Sequence, residues 1–269
     1  MKKYEKMVVI FVDLLGTKNN TKFEDKYKIH RIFHGEARIN ESRKLDHVVY
    51  DRKVFTFSDC AYFFYYYKEG IEDSRKNDMK LIEIALNNTA ISLLRILNAG
   101  YLIRGGVTFG DVYFDELGFF GPGVEEAYKL ESNYADMPII AIEPKLGEKL
   151  SSFIEKNTDM NLVNMLFTSK PEFIEKYKDK YFFNIFYELE TFSPVIQLET
   201  ECIYIEDIKE NLFNIINRDK EKYMNQDEFK IKNKSTIYEK LDWMEKYLIG
   251  KKNKLNNNVS GAFSMIVDN

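Results

Sequence analysis

The chain has 269 residues, of which 45% are hydrophobic and 15% aromatic, enough to bury a substantial core and to exclude a disordered protein. A net charge of -4 leaves no global basic field, so any contact with a nucleotide must come from a local site and no nucleic-acid partner is expected. The two cysteines, Cys60 and Cys202, are too few for a disulfide framework or a zinc cluster and fit a reducing, cytoplasmic compartment.

Met7 to Leu15 is an apolar run with four β-branched residues, closed by Gly16, and reads as a buried strand. The run is interrupted at Asp13, too early for a signal peptide, and Cys60 to Tyr67 is far short of the roughly 20 residues of a membrane helix. No targeting or spanning segment is expected. Thr21 to about Leu45 is charged and helical in pattern. Val48 to Phe57 and Cys60 to Tyr67 read as two strands joined tightly at Ser58-Asp59, an aromatic hairpin that calls for a helix over one face. Lys80 to Ala99 supplies that helix: Ile82, Ala85, Leu86, Ala90, Leu93, Leu94 and Leu97 recur at helical spacing, with Asp78 as the expected N-cap and Gly100 as the stop. Leu102 to Phe109 follows as a strand, Asp111 to Phe120 as a short hairpin extension, Pro122 to Ser132 as a helix opened by proline, and Pro138 to Ile142 as a strand.

This order predicts an α+β fold with a ferredoxin-like or palm core, an antiparallel sheet with helices on one face, over residues 1–145. Residues 146–269 are expected as a C-terminal α/β extension packed on that core. Within it Tyr181 to Leu189 reads as a strand, Ile205 to Arg218 and Thr236 to Ile249 as helices, and the Lys/Asn-rich stretch Lys251 to Asn258 as mobile.

Asp13 ends the first strand and Asp59 sits in the hairpin turn, so the predicted fold brings two carboxylates to neighbouring strand ends. Such a pair suits hard divalent cations, which take oxygen ligands from one or two carboxylates and from substrate phosphates. Read singly, each is an ordinary turn or cap residue. An aspartate after a long apolar run is costly unless it is paired, which favours the joint reading. Adjacent carboxylates repel, so Asp59→Asn is expected to hold or raise stability.

Four segments carry a resemblance. Phe11-Val12-Asp13-Leu14-Leu15-Gly16 resembles the first metal motif of class III adenylyl and guanylyl cyclases, and Phe57-Ser58-Asp59 stands where their second metal aspartate lies in a hairpin. Ile103-Arg104-Gly105-Gly106-Val107-Thr108-Phe109-Gly110 resembles their Arg-x-Gly strand, and Gly121 to Ser132, including Val124-Glu125-Glu126-Ala127-Tyr128-Lys129-Leu130-Glu131-Ser132, resembles their catalytic helix. The four occur in the family's order and cover about half the chain. The resemblance implies a nucleotide cyclase that turns a nucleoside triphosphate into a 3',5'-cyclic monophosphate and pyrophosphate with two Mg2+ or Mn2+ ions held by Asp13 and Asp59. It further implies Arg104 on the triphosphate and a homodimer in which Glu125 and Lys129 come from the other subunit. A guanidinium on a glycine-flanked strand is well suited to phosphate, and backbone amides at Leu15, Gly16 and Thr17 can add anion contacts.

The departures are specific. The family's catalytic asparagine falls on Glu125 and its transition-state arginine on Lys129, which also read as a favourable i,i+4 surface pair. The purine-reading positions fall on Phe55 and near Gly118, neither of which can read a purine edge by hydrogen bonding. Loss of purine readers resembles the bacterial pyrimidine cyclases of Pycsar antiphage systems, and Phe55 can wall off a small base or simply pack in the hairpin. The core is also similar to uncharacterised bacterial proteins bearing Asp-x-Leu-Gly-Phe and Phe-Ser-Asp. A catalytically silent cyclase-like module that senses a nucleotide or a partner is the alternative, and a palm-type nucleotidyltransferase a third. His30 and His34 have the spacing of a zinc pair but no third ligand and are expected on a solvated helix face, Cys60 as a small buried residue, and Tyr62 to Tyr67 as a packed strand.

Overall fold

The computed structural model describes residues 3–17, 21–35, 48–191, 195–197, 202–223 and 236–256. Strand β1 (Glu5–Leu15) is buried on both faces, which is why its sequence is a continuous apolar run rather than an alternation. Val8, Ile10, Val12 and Leu14 enter one core, and Met7, Val9 and Phe11 enter another on the opposite face. On its two sides lie β3 (Cys60–Tyr67) and β4 (Leu102–Asp115), both antiparallel to it. Strand β2 (Tyr50–Phe57) pairs with β3 through the two-residue turn at Ser58-Asp59. The expected hairpin extension is a continuation of β4 as one strand to Asp115, with β5 (Gly118–Phe120) folding back on its end.

The sheet extends past β4. Strand β6 (Ile140–Ile142) pairs parallel with β4, β8 (Lys180–Phe183) antiparallel with β6, and β7 (Ile174–Tyr177) with β8, giving the order β2-β3-β1-β4-β6-β8-β7. Residues beyond 145 thus share the first half's sheet. Mixed pairing with helices on the sheet defines an α+β protein.

Helix α1 (Phe23–His34) ends at Gly35, short of the expected Leu45, and residues 36–47 lie outside the described chain. Helix α2 (Asp78–Asn98) buries all seven of the residues read as its apolar face. Its cap is Asn77 and not Asp78: the Asn77 backbone is extended and its side chain accepts from the Lys80 amide at 3.1 Å, which places Asp78 in the first turn, where its charge meets the helix dipole. Helices α1 and α2 lie on one face, but the expectation of helices on one face only is not met, because the next helix packs on the other. Helix α3 (Pro122–Lys129), continued by a π turn at Leu130–Tyr134, takes the other. It can do so because β4 is bare at Gly106, where a Cβ would stand 2.2 Å from the Ala127 carbonyl oxygen.

The second half differs from its reading in two places. The expected strand Tyr181 to Leu189 stops at Phe183, because the buried Asn184 turns the chain: its side chain donates to the Glu172 carbonyl and accepts from the Phe186 amide, and α6 (Tyr187–Thr191) begins. Helices α4 (Pro144–Lys156) and α5 (Met160–Leu166) precede it, β9 (Val195–Gln197) and β10 (Cys202–Tyr204) follow as a separate pair, and α7 (Ile205–Tyr223) and α8 (Ile237–Gly250) close the chain, α8 with a capping box from Thr236 and Glu239. The stretch expected to be mobile is instead a strap over residues 251–256, with 257–258 outside the described chain. Lys251 is buried between Glu175 and Asn184, the Asn253 side chain donates to the Leu189 carbonyl at 2.8 Å, and the Asn256 amide to the Leu166 carbonyl at 2.8 Å. Lysine and asparagine are therefore structural here, since their polar ends satisfy carbonyls and carboxylates the fold buries. Among the described residues no helix is long and apolar enough to cross a membrane.

Candidate functional site

Strand register assembles the site. Across four strands Phe57 stands opposite Cys60, Cys60 opposite Asp13, and Asp13 opposite Arg104. One rung down on the same face are Phe55, Tyr62, Phe11 and Gly106. Asp13, Arg104 and Phe55 thus share a face, and Asp59 adjoins them from the turn, its carbonyl accepting from the Leu14 amide at 3.3 Å. Ser58 holds φ 57°, a left-handed conformation unusual for a residue with a side chain, in the turn that presents Asp59.

The two aspartates are held in opposite states. Asp13 is pushed up to about 6, first by burial and then by the negative charges of Glu131 and Asp59, against the attraction of Arg104. Asp59 is held below the ordinary carboxylate range. Burial pushes it up, but hydrogen bonds with the Thr17 and Ser58 side chains and its own backbone, with the charge of Lys26, outweigh burial. Thr17 is buried, and its hydroxyl donates to Asp59 and contacts the Leu14 carbonyl at 3.3 Å. The expected repulsion between carboxylates falls on Asp13 alone. For Asp59 the amide substitution weakens favourable hydrogen bonds, so the expectation that Asp59→Asn holds or raises stability is corrected.

Arg104 is ion-paired with Glu131, both side chains largely buried. Sequence reading gave Glu131 no role, although it lay inside the motif quoted for the helix; the available signal was an acid next to the apolar Leu130 on a helix that must lie flat on a sheet. Gly16 takes φ 82° where β1 turns away, and Leu15 remains in the ladder opposite Leu102. Glu125 and Lys129 pair with each other across 3.7 Å on the outer surface of α3, side chains 71% and 57% exposed, and neither is among the charges that act on Asp13 or Asp59. Phe55 lies against Phe119 at 4.8 Å and near Phe64 and Phe114, half-buried in an aromatic cluster, while Gly118 turns the β4–β5 connection with φ 146°. The Cys60 thiol is pushed up to about 11 by burial and by Asp13 and Asp59, which makes it a poor nucleophile. His30 and His34 are not simply solvated: Nδ1 of His30 and Nε2 of His34 meet the Thr56 hydroxyl, at 3.0 and 3.1 Å, which ties α1 to β2.

Among the described residues no group of three or more His, Cys, Asp or Glu side chains could hold a metal ion unaided. Asp13 and Asp59 offer two carboxylates of hard oxygens, near enough that the charge of Asp59 acts on Asp13. That set fits a cation such as Mg2+ or Mn2+, which keeps waters and takes the rest of its shell from substrate phosphates.

No protein-family model matches the chain, and no curated protein does. Among solved structures, an adenylate/guanylate cyclase/hydrolase from Silicibacter pomeroyi is similar at 12% identity and a TM-score of 0.36, over 68% of this chain and 98% of that one.

Proposed function

We propose that the chain is a divergent, cytoplasmic nucleotide cyclase that converts a nucleoside triphosphate to a 3',5'-cyclic monophosphate and pyrophosphate. The observation that carries this reading is the meeting of Asp13, Asp59, Arg104 and Glu131, from four separate segments, at one end of β1. Asp13 and Asp59 would hold two Mg2+ or Mn2+ ions, which when bound supply charge stabilisation to the attacking and leaving oxygens. Arg104 binds triphosphate oxygens as a guanidinium fork, and backbone amides of Leu15, Gly16 and Thr17 add anion contacts. The ribose 3'-oxygen forms its bond to the α-phosphorus as the bond to pyrophosphate breaks, and the hydroxyl proton leaves to solvent. Phe55, on the rung below Asp13, walls a small base, which favours CTP or UTP. Glu125 and Lys129, exposed on α3, are supplied to the partner's site in a homodimer. A role in antiphage signalling rests on the Pycsar resemblance.

Incubation of the protein with each of the four triphosphates and Mn2+, followed by mass spectrometry, tests this: one cyclic product is expected from the wild type and none from Asp59→Asn. Equal turnover by both overturns the role of Asp59. The pairing of Glu125 with Lys129, away from the charges on Asp13, favours a second reading, a silent nucleotide-binding sensor. That reading is supported if no nucleotide is converted while Mn2+ with a triphosphate raises the melting temperature of the wild type alone.

A further inference from the structure

Arginine beside a metal-binding carboxylate has a competing partner. Arg104 stands opposite Asp13 and is attracted to it, so without another anion its guanidinium would fold onto the carboxylate a cation needs. Glu131 supplies such an anion. It is 3% exposed, one of its oxygens is ion-paired with Arg104 without a hydrogen bond, and the other accepts from the Ser132 hydroxyl at 2.8 Å, which holds the side chain in place. The backbone beneath it is fixed as well. The Ala135 amide donates to the Leu130 carbonyl at 2.8 Å, the i→i+5 bond of a π turn, and a Cβ at Gly106 would meet Leu130 Cβ at 2.6 Å and the Glu131 nitrogen at 3.1 Å, so the turn lies as close to β4 as a glycine allows.

A buried ion pair is a poor device for stability, since its desolvation roughly cancels its attraction. It does fix orientation: a guanidinium is planar, and tying one Nη sets the direction of the rest of the fork. Arg104 Nε is buried without a hydrogen-bond partner, so Glu131 does not satisfy the whole group.

We propose that Glu131 is the positioning residue for Arg104, holding the guanidinium off Asp13 and aimed at a polyphosphate bound in front of the two aspartates. The inference rests on the reading of Arg104 as a phosphate-binding residue.

The test is a double-mutant cycle on binding of Mn2+ with inorganic tripolyphosphate, and of Mn2+ with a nucleoside triphosphate, by calorimetry on the full chain. Glu131→Asp keeps the charge and withdraws it by one methylene. It is expected to weaken binding by about tenfold or more with Arg104 present and by less than about twofold in an Arg104→Ala background. If Glu131→Gln weakens binding but Glu131→Asp does not, the role is bulk charge and positioning is overturned. If both variants lower the melting temperature but bind as the wild type does, the residue is only structural and the proposal is overturned. Should neither variant fold, Ser132→Ala, which releases the second Glu131 oxygen and leaves the pair in place, is expected to weaken binding by about threefold in an Arg104-dependent way; unchanged affinity there overturns it. A wild type that binds neither ligand overturns the reading of Arg104, and this inference with it, whereas a wild type that binds and a Glu131→Asp variant that binds equally overturns this inference alone.

Discussion

Replacing Asp13 by Asn removes a charge that the fold holds at a disadvantage. The carboxyl is moved from 3.8 to about 6, a difference of about 2 pH units, which at 1.36 kcal/mol per unit is about 3 kcal/mol against the ionised form. The group is only partly buried, and solvent screening reduces this to about 1–2 kcal/mol. Because the folded state binds the proton more tightly than the unfolded state, stability from this group is full below about pH 4 and falls as pH rises through about 6. Asp13→Asn, with no proton to lose, should therefore match the wild type near pH 4 in EDTA and exceed it by about 1–2 kcal/mol at pH 8. Urea denaturation at half-unit steps of pH measures the difference directly. Mn2+ should close the gap at pH 8 by stabilising the wild type alone. A variant no more stable than the wild type at pH 8, or one with the same advantage at both ends of the pH range, refutes the account in which burial, and after it the charges of Glu131 and Asp59, disfavours the ionised Asp13.

Asp59→Asn should act in the opposite sense: its depressed value means stability present at neutral pH and lost as pH falls through the acid range, so the variant should melt lower at pH 7 and converge with the wild type in acid. Thr17→Val removes the donor to Asp59 and should cost about 1–2 kcal/mol at pH 7; calorimetry showing an unchanged melting temperature would deny Thr17 a part in the site. Gly106→Ala sets a Cβ against backbone and should cost more than about 2 kcal/mol, whereas Gly16→Ala meets nothing within 4 Å and should cost only the left-handed strain of about 1–2 kcal/mol; equal urea midpoints for the two variants would contradict the close approach of α3 to β4. Lys251→Met leaves Glu175 buried without its partner, while Glu190 keeps Lys254 and Asn184, and should cost about 3–5 kcal/mol, seen as faster amide exchange in residues 251–256 and a lower urea midpoint; a neutral result would mean that the strap is held without this ion pair.

Much of the framework was legible because burial writes itself into local pattern. The unbroken apolar run of β1, the helical spacing from Ile82 to Leu97 and the Pro122 start of α3 each needed only neighbours within a few turns or rungs. Where a single polar side chain decided the path, local pattern failed. Asn184 ended a strand that its aromatic neighbours suggested would continue, and Asn77 took the cap that Asp78 was expected to hold. Lys251 and Asn253 looked like solvated residues because their partners, Glu175, Asn184 and Leu189, are more than sixty residues away.

Which residues could do chemistry is written in local pattern: a carboxylate closing an apolar strand, another in a hairpin turn, an arginine among glycines. Side chains alternate with period two along any strand, so the face each shares with its own strand neighbours was already set. Which rung meets which is settled on folding, because cross-strand register and helix docking depend on packing between segments distant in the chain. That register put Asp13 between Cys60 and Arg104, and the docking of α3 on Gly106 brought Glu131 to the arginine; burial and then these charges hold Asp13 at about 6, while hydrogen bonds with Thr17 and Ser58 hold Asp59 below its ordinary range. Charge acts through space across a few ångströms, and no one-dimensional pattern carries that distance.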